Sequence, residues 1–314
     1  MKSYVRKTKG LMSHNYLQLV LISMVKKPKM MEGHKLRYLQ EYLERVKESS
    51  VGKYVEAMEV LEEPTRNCYA GHVELSRDEF VEMMLLDGIL IMELLRKFRP
   101  PELRKIDILQ LSRIRIILVQ DILLFENQLP LFFLNRLSDM TKEPHFSVEG
   151  DLWTCLYKQV SFIRNYRFTC QPTAGDLHHL LGVMRSRMRP SFLDRLGQPI
   201  FFVPKLTKCA TKLQEAGIKL TVAFSRDSLL DIDFKMGIVT IPWFCIKDDF
   251  EIFFRNLIAY ELYAHENEWA YGTNYMEFMN NLIKSPKDVK ILRQCGILAS
   301  VIPKYAVKLR STCE

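Results

Sequence analysis

The sequence predicts a mainly α protein: a single multi-helix globular domain with a small antiparallel β meander near residues 218–242. Two observations predict this class. Long stretches repeat apolar residues at helical spacing, whereas only one short region alternates β-branched and polar residues between turn residues. The composition, 48% hydrophobic and 26% charged, is typical of a globular chain with ample apolar material for a core. Since no long flexible linker divides the 314 residues, we expect one core rather than two.

Residues 1–30 form a basic segment. They contain seven Lys and Arg residues and no acidic residue, which leaves only about one of the eight net positive charges for the rest of the chain. We expect this segment to be poorly ordered, with peripheral contact to acidic lipid as the alternative. The nearly neutral remainder lacks the basic stripe typical of nucleic-acid binding, so we expect no nucleic-acid partner.

The seven cysteines are odd in number and widely spaced, and no C-x-x-C pattern occurs. This distribution excludes a disulfide framework or a zinc ribbon and indicates reduced thiols in the cytosol. No window reaches the roughly 18 to 20 continuous apolar residues that a transmembrane helix needs.

Helical periodicity predicts a globular body over residues 31–300 that begins with a charged helix at 31–49. Ser76 and Glu79 form a capping-box pattern before an apolar core helix that runs to about Phe98 and stops at Pro100. Further helices are predicted at 106–125, 131–137, 151–165 and 176–184.

Residues 185–199 contain alternating arginines, two prolines and a glycine, which predicts a surface linker or variable loop. A helix at 205–216 with Gly217 as its C-terminal cap leads into three short strands at 218–224, 229–234 and 237–242. The last predicted helices cover 247–265, 274–283 and 286–294, and the third of them begins at Pro286 after Ser285.

The stretch "DILLFENQLPLFFL" (121–134) admits three interpretations: a broken membrane span, a catalytic carboxylate in an apolar pocket, or a helix junction. The polar residues and Pro130 are costly in hydrocarbon, and Glu126 has no catalytic partner in the sequence. We expect a sharp corner between two core helices, in which Asn127 and Gln128 satisfy backbone groups at the helix ends. Pro130 suits a first helical position, and Glu126 lies close enough to favour the dipole of the second helix.

Common catalytic motifs are absent: the nucleophile elbow, the P-loop, the dinucleotide-binding glycines and H-E-x-x-H. We therefore expect a non-enzymatic protein without a cofactor, and infer no small-molecule ligand. His178 and His179 point about 100° apart on a helix and cannot easily share a metal ion. Within the apolar core helix, Asp87 should have a structural partner, and Gly88 should allow a close helix approach.

The strongest candidates for a metal site are three carboxylates. Asp231 and Asp233 would share one face of a strand, and Glu261 falls on the buried stripe of the following helix, so together they could hold a divalent cation. The competing interpretation is structural. In it the aspartates flank a turn and pair with Arg226 or Arg255, and Glu261 is a buried, hydrogen-bonded acid.

Several of these segments together resemble a plant-specific family, the one catalogued as "domain of unknown function 247". The matching stretches, in the family's order, are "MEGHKLRYLQEYLER" (31–45), "FVEMMLLDGILIMELLRKF" (80–98), "DILLFENQLPLFFL" (121–134), "DLHHLLGVMR" (176–185), "CATKLQEAGIKL" (209–220), "LLDIDFKMGIVTIPWFCI" (229–246), "FFRNLIAYEL" (253–262), "YMEFMNNLI" and "DVKILRQCGIL". The residues that the resemblance marks as family motifs, with structural roles, are Glu126, Asn127, Gln128, Pro130, Asp87, Gly88, Arg255 and Asn256.

The resemblance implies an uncharacterised plant protein without assigned catalytic residues. Family members typically carry a C-terminal transmembrane helix, and some grass members look like self-incompatibility determinants. Here the family's N-terminal "V-S-I-G-P-Y-H" type of segment and its apolar anchor are not found, and residues 301–314 form a tail. We therefore expect the cytoplasm, or the cytoplasmic face of a membrane, as the location.

The first functional hypothesis is a non-enzymatic protein–protein interaction module, with a role in recognition or signalling and an unknown protein partner. The alternative is a metal-dependent enzyme that uses Asp231, Asp233 and Glu261. A third hypothesis is peripheral membrane binding through residues 1–30.

Overall fold

The computed structural model describes residues 28–48, 50–69, 73–97, 120–141, 147–148, 150–152, 178–191, 207–223, 227–246, 248–264 and 270–300. They belong to two compact units. The first contains the described residues up to 152 together with 178–183, and the second contains those from 184 onward. Each unit contains buried apolar residues. The division between residues 183 and 184 falls inside the helix Leu180–Arg187.

Several sequence predictions lie outside the described residues. These are the basic segment up to residue 27, most of the helices predicted at 106–125 and 151–165, and the tail at 301–314.

The first unit is helical. Its elements are α1 (Pro28–Val46), α2 (Gly52–Glu59), α3 (Glu62–Arg66), α4 (Arg77–Lys97), a 3-10 turn (Phe125–Asn127) and α5 (Leu131–Thr141). The mainly helical class is confirmed. The helix predicted to reach Phe125 ends earlier, because that residue already belongs to the 3-10 turn.

Helix α4 is the centre of this unit, and α1, α2, α3 and α5 all contact it. It is buried along most of its length, as its apolar sequence predicted. Its start is the predicted capping box: the Ser76 amide donates to the Glu79 carboxylate at 2.9 Å, and the Glu79 amide donates to the Ser76 hydroxyl at 3.4 Å.

Helices α4 and α5 approach closely at Gly88. A Cβ added there would lie 2.5 Å from Leu137 Cδ1 and 3.1 Å from Phe133 Cε1. Both side chains are buried, so neither can move aside without disturbing the core. The glycine therefore permits the close helix approach that the sequence predicted.

The second unit combines helices with two small sheets. Its elements are α6 (Leu180–Arg187, from residue 184), α7 (Ala210–Glu215), β1 (Lys219–Val222), β2 (Asp233–Lys235), β3 (Ile238–Ile241), β4 (Phe244–Ile246), α8 (Asp248–Ala264), α9 (Tyr271–Leu282), α10 (Pro286–Gln294) and β5 (Leu298–Ser300). As predicted, Gly217 follows α7 with a φ of +80°, and α10 begins at Pro286 behind the capping residue Ser285.

The prediction of an antiparallel meander is wrong for the pairing of β1 with β3. The sheet has the order β1-β3-β2, with β1 parallel to β3 and only β2 antiparallel to it. The two-residue turn Met236–Gly237 forces β2 and β3 to be antiparallel. The longer connection from β1 to β2 lets the chain cross over and place β3 in the middle. A second sheet, β4 parallel to β5, was not predicted, because its strands are three residues long and far apart in sequence.

The prediction of a surface loop at 185–199 is wrong for its first three residues. Arg185 to Arg187 are helical residues of α6, and the side chain of Arg185 is only 2% exposed. The alternating arginines looked like a solvated surface because their buried partners are remote in sequence. Residues 192–199 lie outside the described part of the chain.

Among the described helices, none combines the length and apolar character needed to cross a bilayer.

We predict that Gly88→Ala destabilises the protein by about 1–3 kcal/mol, because overpacking against Leu137 and Phe133 outweighs the better helix propensity of alanine. Gly150→Ala is the matched control, since its added Cβ would have no neighbour closer than 3.7 Å. Urea denaturation measures both free energies of unfolding. Equal stability of the Gly88 variant and the native protein would contradict the close approach.

Candidate functional site

Two buried amide side chains build the corner between residues 121 and 131. Asn127 Nδ2 donates to the Asp121 carbonyl at 2.9 Å. Gln128 Nε2 donates to the carbonyls of Ile122 at 3.0 Å and Leu124 at 2.6 Å. The carbonyls of Asp121 and Leu124 also accept the backbone amides of Leu124 and Asn127, at 3.2 and 3.0 Å, where the chain leaves the preceding helix. The side chains therefore satisfy backbone groups as the sequence predicted.

Gln128 also ties the corner to other parts of the first unit. Its Oε1 accepts a hydrogen bond from the Leu181 amide at 3.0 Å, in the first turn of α6. Its backbone carbonyl accepts one from the Tyr69 hydroxyl at 3.1 Å. Next to it, the Leu131 amide donates to the His178 carbonyl at 2.7 Å. The motif is thus a structural junction with its polar atoms engaged.

Pro130 lies one residue away from its predicted position, whereas the predicted dipole role of Glu126 stays a prediction. Glu126 is exposed, and partial desolvation raises the pKa of its carboxyl. Pro130 precedes α5 instead of occupying its first position. Its carbonyl accepts the Phe133 and Leu134 amides at 3.1 and 3.3 Å, so Pro130 is the N-cap residue of α5.

Both adjacent histidines accept hydrogen bonds from backbone amides. His179 Nδ1 accepts a hydrogen bond from the Gly182 amide at 3.1 Å, which caps the start of α6, while His178 contributes the carbonyl described above. His179 also forms an isolated β-bridge with Pro130.

Buried acids of α4 are held by cations. Lys35 forms an ion pair with Asp87, which is fully buried. Burial raises the pKa of Asp87 to about 7, although the Lys35 ammonium pulls it down. Further along the same helix, Glu93 is also fully buried. Its Oε1 forms an ion pair with Arg45 Nη2 at 2.6 Å, and its Oε2 forms one with Arg96 Nη2 at 2.9 Å. The predicted structural partner of Asp87 is therefore Lys35 on α1.

Glu261 caps α9 from a distant position in the sequence. Its Oε1 accepts from the Gly272 amide at 3.0 Å, and its Oε2 accepts from the amide and hydroxyl of Thr273 at 2.7 and 2.6 Å. These amides belong to the first turn of the helix, where carboxylates are favoured. Arg185 Nε lies 3.5 Å from Oε1, and its guanidinium stacks 4.5 Å above the Tyr271 ring. Burial raises the pKa of Glu261 against these opposing hydrogen bonds.

The three carboxylates of the metal hypothesis are engaged separately. Asp231 Oδ1 accepts from the Ser191 amide at 2.7 Å, and it precedes β2 instead of sharing a strand face with Asp233. Asp233 Oδ2 lies 2.7 Å from Lys235 Nζ, and Glu261 caps α9. Within the described ranges, no three His, Cys, Asp or Glu side chains are grouped to hold a metal ion.

The family-motif residues of α8 make local contacts. Arg255 Nη2 lies 2.8 Å from Glu251 Oε1, and Asn256 Nδ2 donates to the Ile252 carbonyl at 2.8 Å. Both contacts stay within one turn of the same helix.

Asp288 joins α7 to α10, a role that the sequence did not reveal. Its Oδ1 accepts from the amide and hydroxyl of Thr211, and its Oδ2 accepts from the Lys284 amide and from the amide and hydroxyl of Ser285. Burial raises its pKa, but these hydrogen bonds outweigh burial and hold the pKa far below its usual range. The spacing of Ser285 and Asp288 indicates a capping box from the local sequence alone. The hydrogen bonds with Thr211 could not be predicted, because Thr211 is remote in sequence.

The β2–β3 hairpin, residues 233–241, exposes apolar side chains. Phe234 is 60% exposed, Met236 99% and Ile238 38%. Met236 also has a φ of +49°, a conformation that side chains other than those of glycine and asparagine rarely adopt. The Met-Gly pair between two strands was the available signal for an exposed turn.

A family model described as a plant protein of unknown function matches residues 19–308. A UPF0481 protein of Arabidopsis thaliana is 27% identical over 302 residues, which covers 84% of this chain and 60% of the relative. The chain thus spans less than two thirds of that relative's length. No solved structure matches the chain.

We predict that Gln128→Ala lowers the free energy of unfolding by about 2–4 kcal/mol, because it leaves buried backbone groups without partners. Glu126→Ala, on the exposed side of the same motif, should change it by no more than about 0.5 kcal/mol. Chemical denaturation of both variants measures the difference. Similar stability of the two would contradict the structural role of Gln128.

We predict a pH-dependent effect of Asp87→Asn. With its pKa raised from 3.8 to about 7, Asp87 binds its proton more tightly in the folded state. That stabilisation is complete below the unfolded pKa and is lost as the pH rises through about 7. From about pH 5 to about pH 8, the native chain should therefore lose about 1 kcal/mol or more relative to the variant, which cannot titrate. A stability difference that stays constant over this range in urea titrations would overturn the prediction.

Proposed function

Because this chain belongs to the plant family catalogued as domain of unknown function 247, we propose that its function is binding and not catalysis. It acts as a non-enzymatic protein–protein interaction module, and the 233–241 hairpin is its contact surface. The observation that carries this proposal is the exposure of Phe234, Met236 and Ile238 on one hairpin. Recognition or signalling is the class of role to which such a module belongs.

The use of buried ionisable groups supports a binding role. Asp87 and Glu93 hold basic side chains of their own unit, and Glu261 and Asp288 cap helices. A catalytic acid or base has to reach a substrate atom within hydrogen-bond distance. These four carboxylates are buried and already serve the fold.

The hairpin has the properties of a contact surface. Its three exposed apolar side chains surround one short turn, with Met236 in the turn and with Phe234 and Ile238 on opposite faces of the two strands. Met236 combines nearly complete exposure with a positive φ, a conformation that costs free energy and that asparagine or glycine would adopt more easily. Stability alone does not favour methionine there, whereas contact with a partner does.

We propose that the module acts in the cytoplasm or at the cytoplasmic face of a membrane. Cys68, Cys209 and Cys295 are free thiols, which suits a reducing compartment. Binding of residues 1–30 to acidic lipid is a separate proposal, motivated by their basic sequence.

We predict that a hairpin variant, Phe234→Ser with Met236→Asn, loses protein partners that the native chain retains. Affinity purification of the full chain from plant tissue, followed by quantitative mass spectrometry, measures retention. Val60→Ser is the matched control, because Val60 is 77% exposed and lies in the first unit. Partners should fall by about tenfold or more with the hairpin variant and stay with the control.

Two outcomes would contradict this proposal. The first is that no protein is retained reproducibly by the native chain. The second is that the hairpin variant and the Val60 control retain the same proteins in the same amounts.

A further inference from the structure

Strand β2 lies at an edge of the three-stranded sheet. The strand order is β1-β3-β2, and no strand of the described chain pairs with the outer side of β2. All three of its residues are exposed. Edge strands expose backbone donors and acceptors that can pair with another chain.

We propose that β2 pairs with β2 of a second copy of this chain, antiparallel and centred on Phe234. The two sheets then join across a twofold axis into one continuous sheet. The inference rests on the proposed binding role of the hairpin and names its partner.

The charges of β2 are complementary to themselves. Its sequence is Asp233-Phe234-Lys235, an acid and a base placed symmetrically about an aromatic residue. Within one copy, Asp233 Oδ2 lies 2.7 Å from Lys235 Nζ. In an antiparallel pair centred on Phe234, each Asp233 also lies opposite Lys235 of the other copy, so that acids and bases alternate around the axis. Opposite charges that face each other across strands are stabilising, and like charges are destabilising.

The apolar side chains continue across the same axis. Leu220, Val239 and Phe234 are neighbours in register on the three strands, and so share one face of the sheet. Leu220 and Val239 are buried, but Phe234, at the open end of the row, is not. Pairing sets Phe234 against Phe234 of the second copy, so that the row runs through both sheets, and aromatic cross-strand pairs are favourable.

The backbone register also suits this centre. Lys235 and Ile238 flank the two-residue turn and are partners in the ladder, so they exchange hydrogen bonds with each other. Since backbone groups alternate in direction along a strand, the N–H and C=O of Phe234 face the open edge. Two copies centred on Phe234 can then exchange two reciprocal hydrogen bonds. A foreign strand would offer the backbone partners but not the matching charge order.

The proposal is tested by sedimentation equilibrium of the full chain from roughly 1 µM to 1 mM. We expect weak, saturable dimerisation, because the shared edge is short. Asp233→Lys and Lys235→Asp should each weaken it by about tenfold, since each places like charges opposite each other on both sides of the axis. Lys212→Asp, an exposed exchange on α7, is the matched control and should leave the dissociation constant unchanged.

Restoration of binding makes the test specific. The double variant Asp233→Lys with Lys235→Asp should dimerise like the native chain, because its charges are complementary again. An equimolar mixture of the two single variants should form a heterodimer, since one copy then carries two bases and the other two acids. A general loss of folding or of apolar contact would not produce this rescue.

A chain that stays monomeric over the whole range would overturn the second copy as the partner. So would self-association that is equal in all variants, because it would use another surface. These outcomes are independent of the plant-tissue experiment. If the chain is monomeric but its hairpin still retains other proteins, only the pairing of two copies is contradicted. If the chain neither dimerises nor retains proteins through its hairpin, the binding role is contradicted as well.

Discussion

The first unit depends on satisfying buried backbone groups where the chain reverses between residues 121 and 131. A helix that ends inside a core leaves carbonyls without partners, and each of them is costly to bury. Asn127 and Gln128 meet this constraint with side-chain amides, and Gln128 also accepts the Leu181 amide of α6. The corner therefore positions the start of α5, which packs against Gly88 of α4.

The second unit solves a similar problem with carboxylates. Glu261 receives the first amides of α9, and Asp288 receives groups from both α7 and α10. Arg185 then balances the buried charge of Glu261 and stacks on Tyr271. Buried charges are retained when such partners are present. Glu261, which the sequence offered as a candidate metal ligand, thus holds the start of a helix in place.

In the hairpin of residues 233–241, apolar side chains are exposed to solvent, whereas elsewhere polar groups are buried. Its apolar side chains are not needed by the core, and Met236 holds a strained conformation in solvent. An edge strand with exposed apolar residues is a liability in a protein that has no use for it. Here the flanking Asp233 and Lys235 limit that liability by making the edge selective for a complementary charge order. Asp233, Phe234 and Lys235 thus combine protection against unspecific pairing with the surface proposed for a specific contact.

Sequence alone determined the features that depend on local chemistry. Helical periodicity, the Ser76 and Ser285 caps, the Gly217 terminus and the polar corner at Asn127 and Gln128 were readable because their signals lie within a few residues. Tertiary structure decided what depends on remote neighbours. The partners Lys35, Arg185 and Thr211, the parallel β1–β3 pairing and the exposure of Phe234 could not be read locally. A side chain's burial and its ionic partner are set by segments that folding brings together, and no local pattern records them.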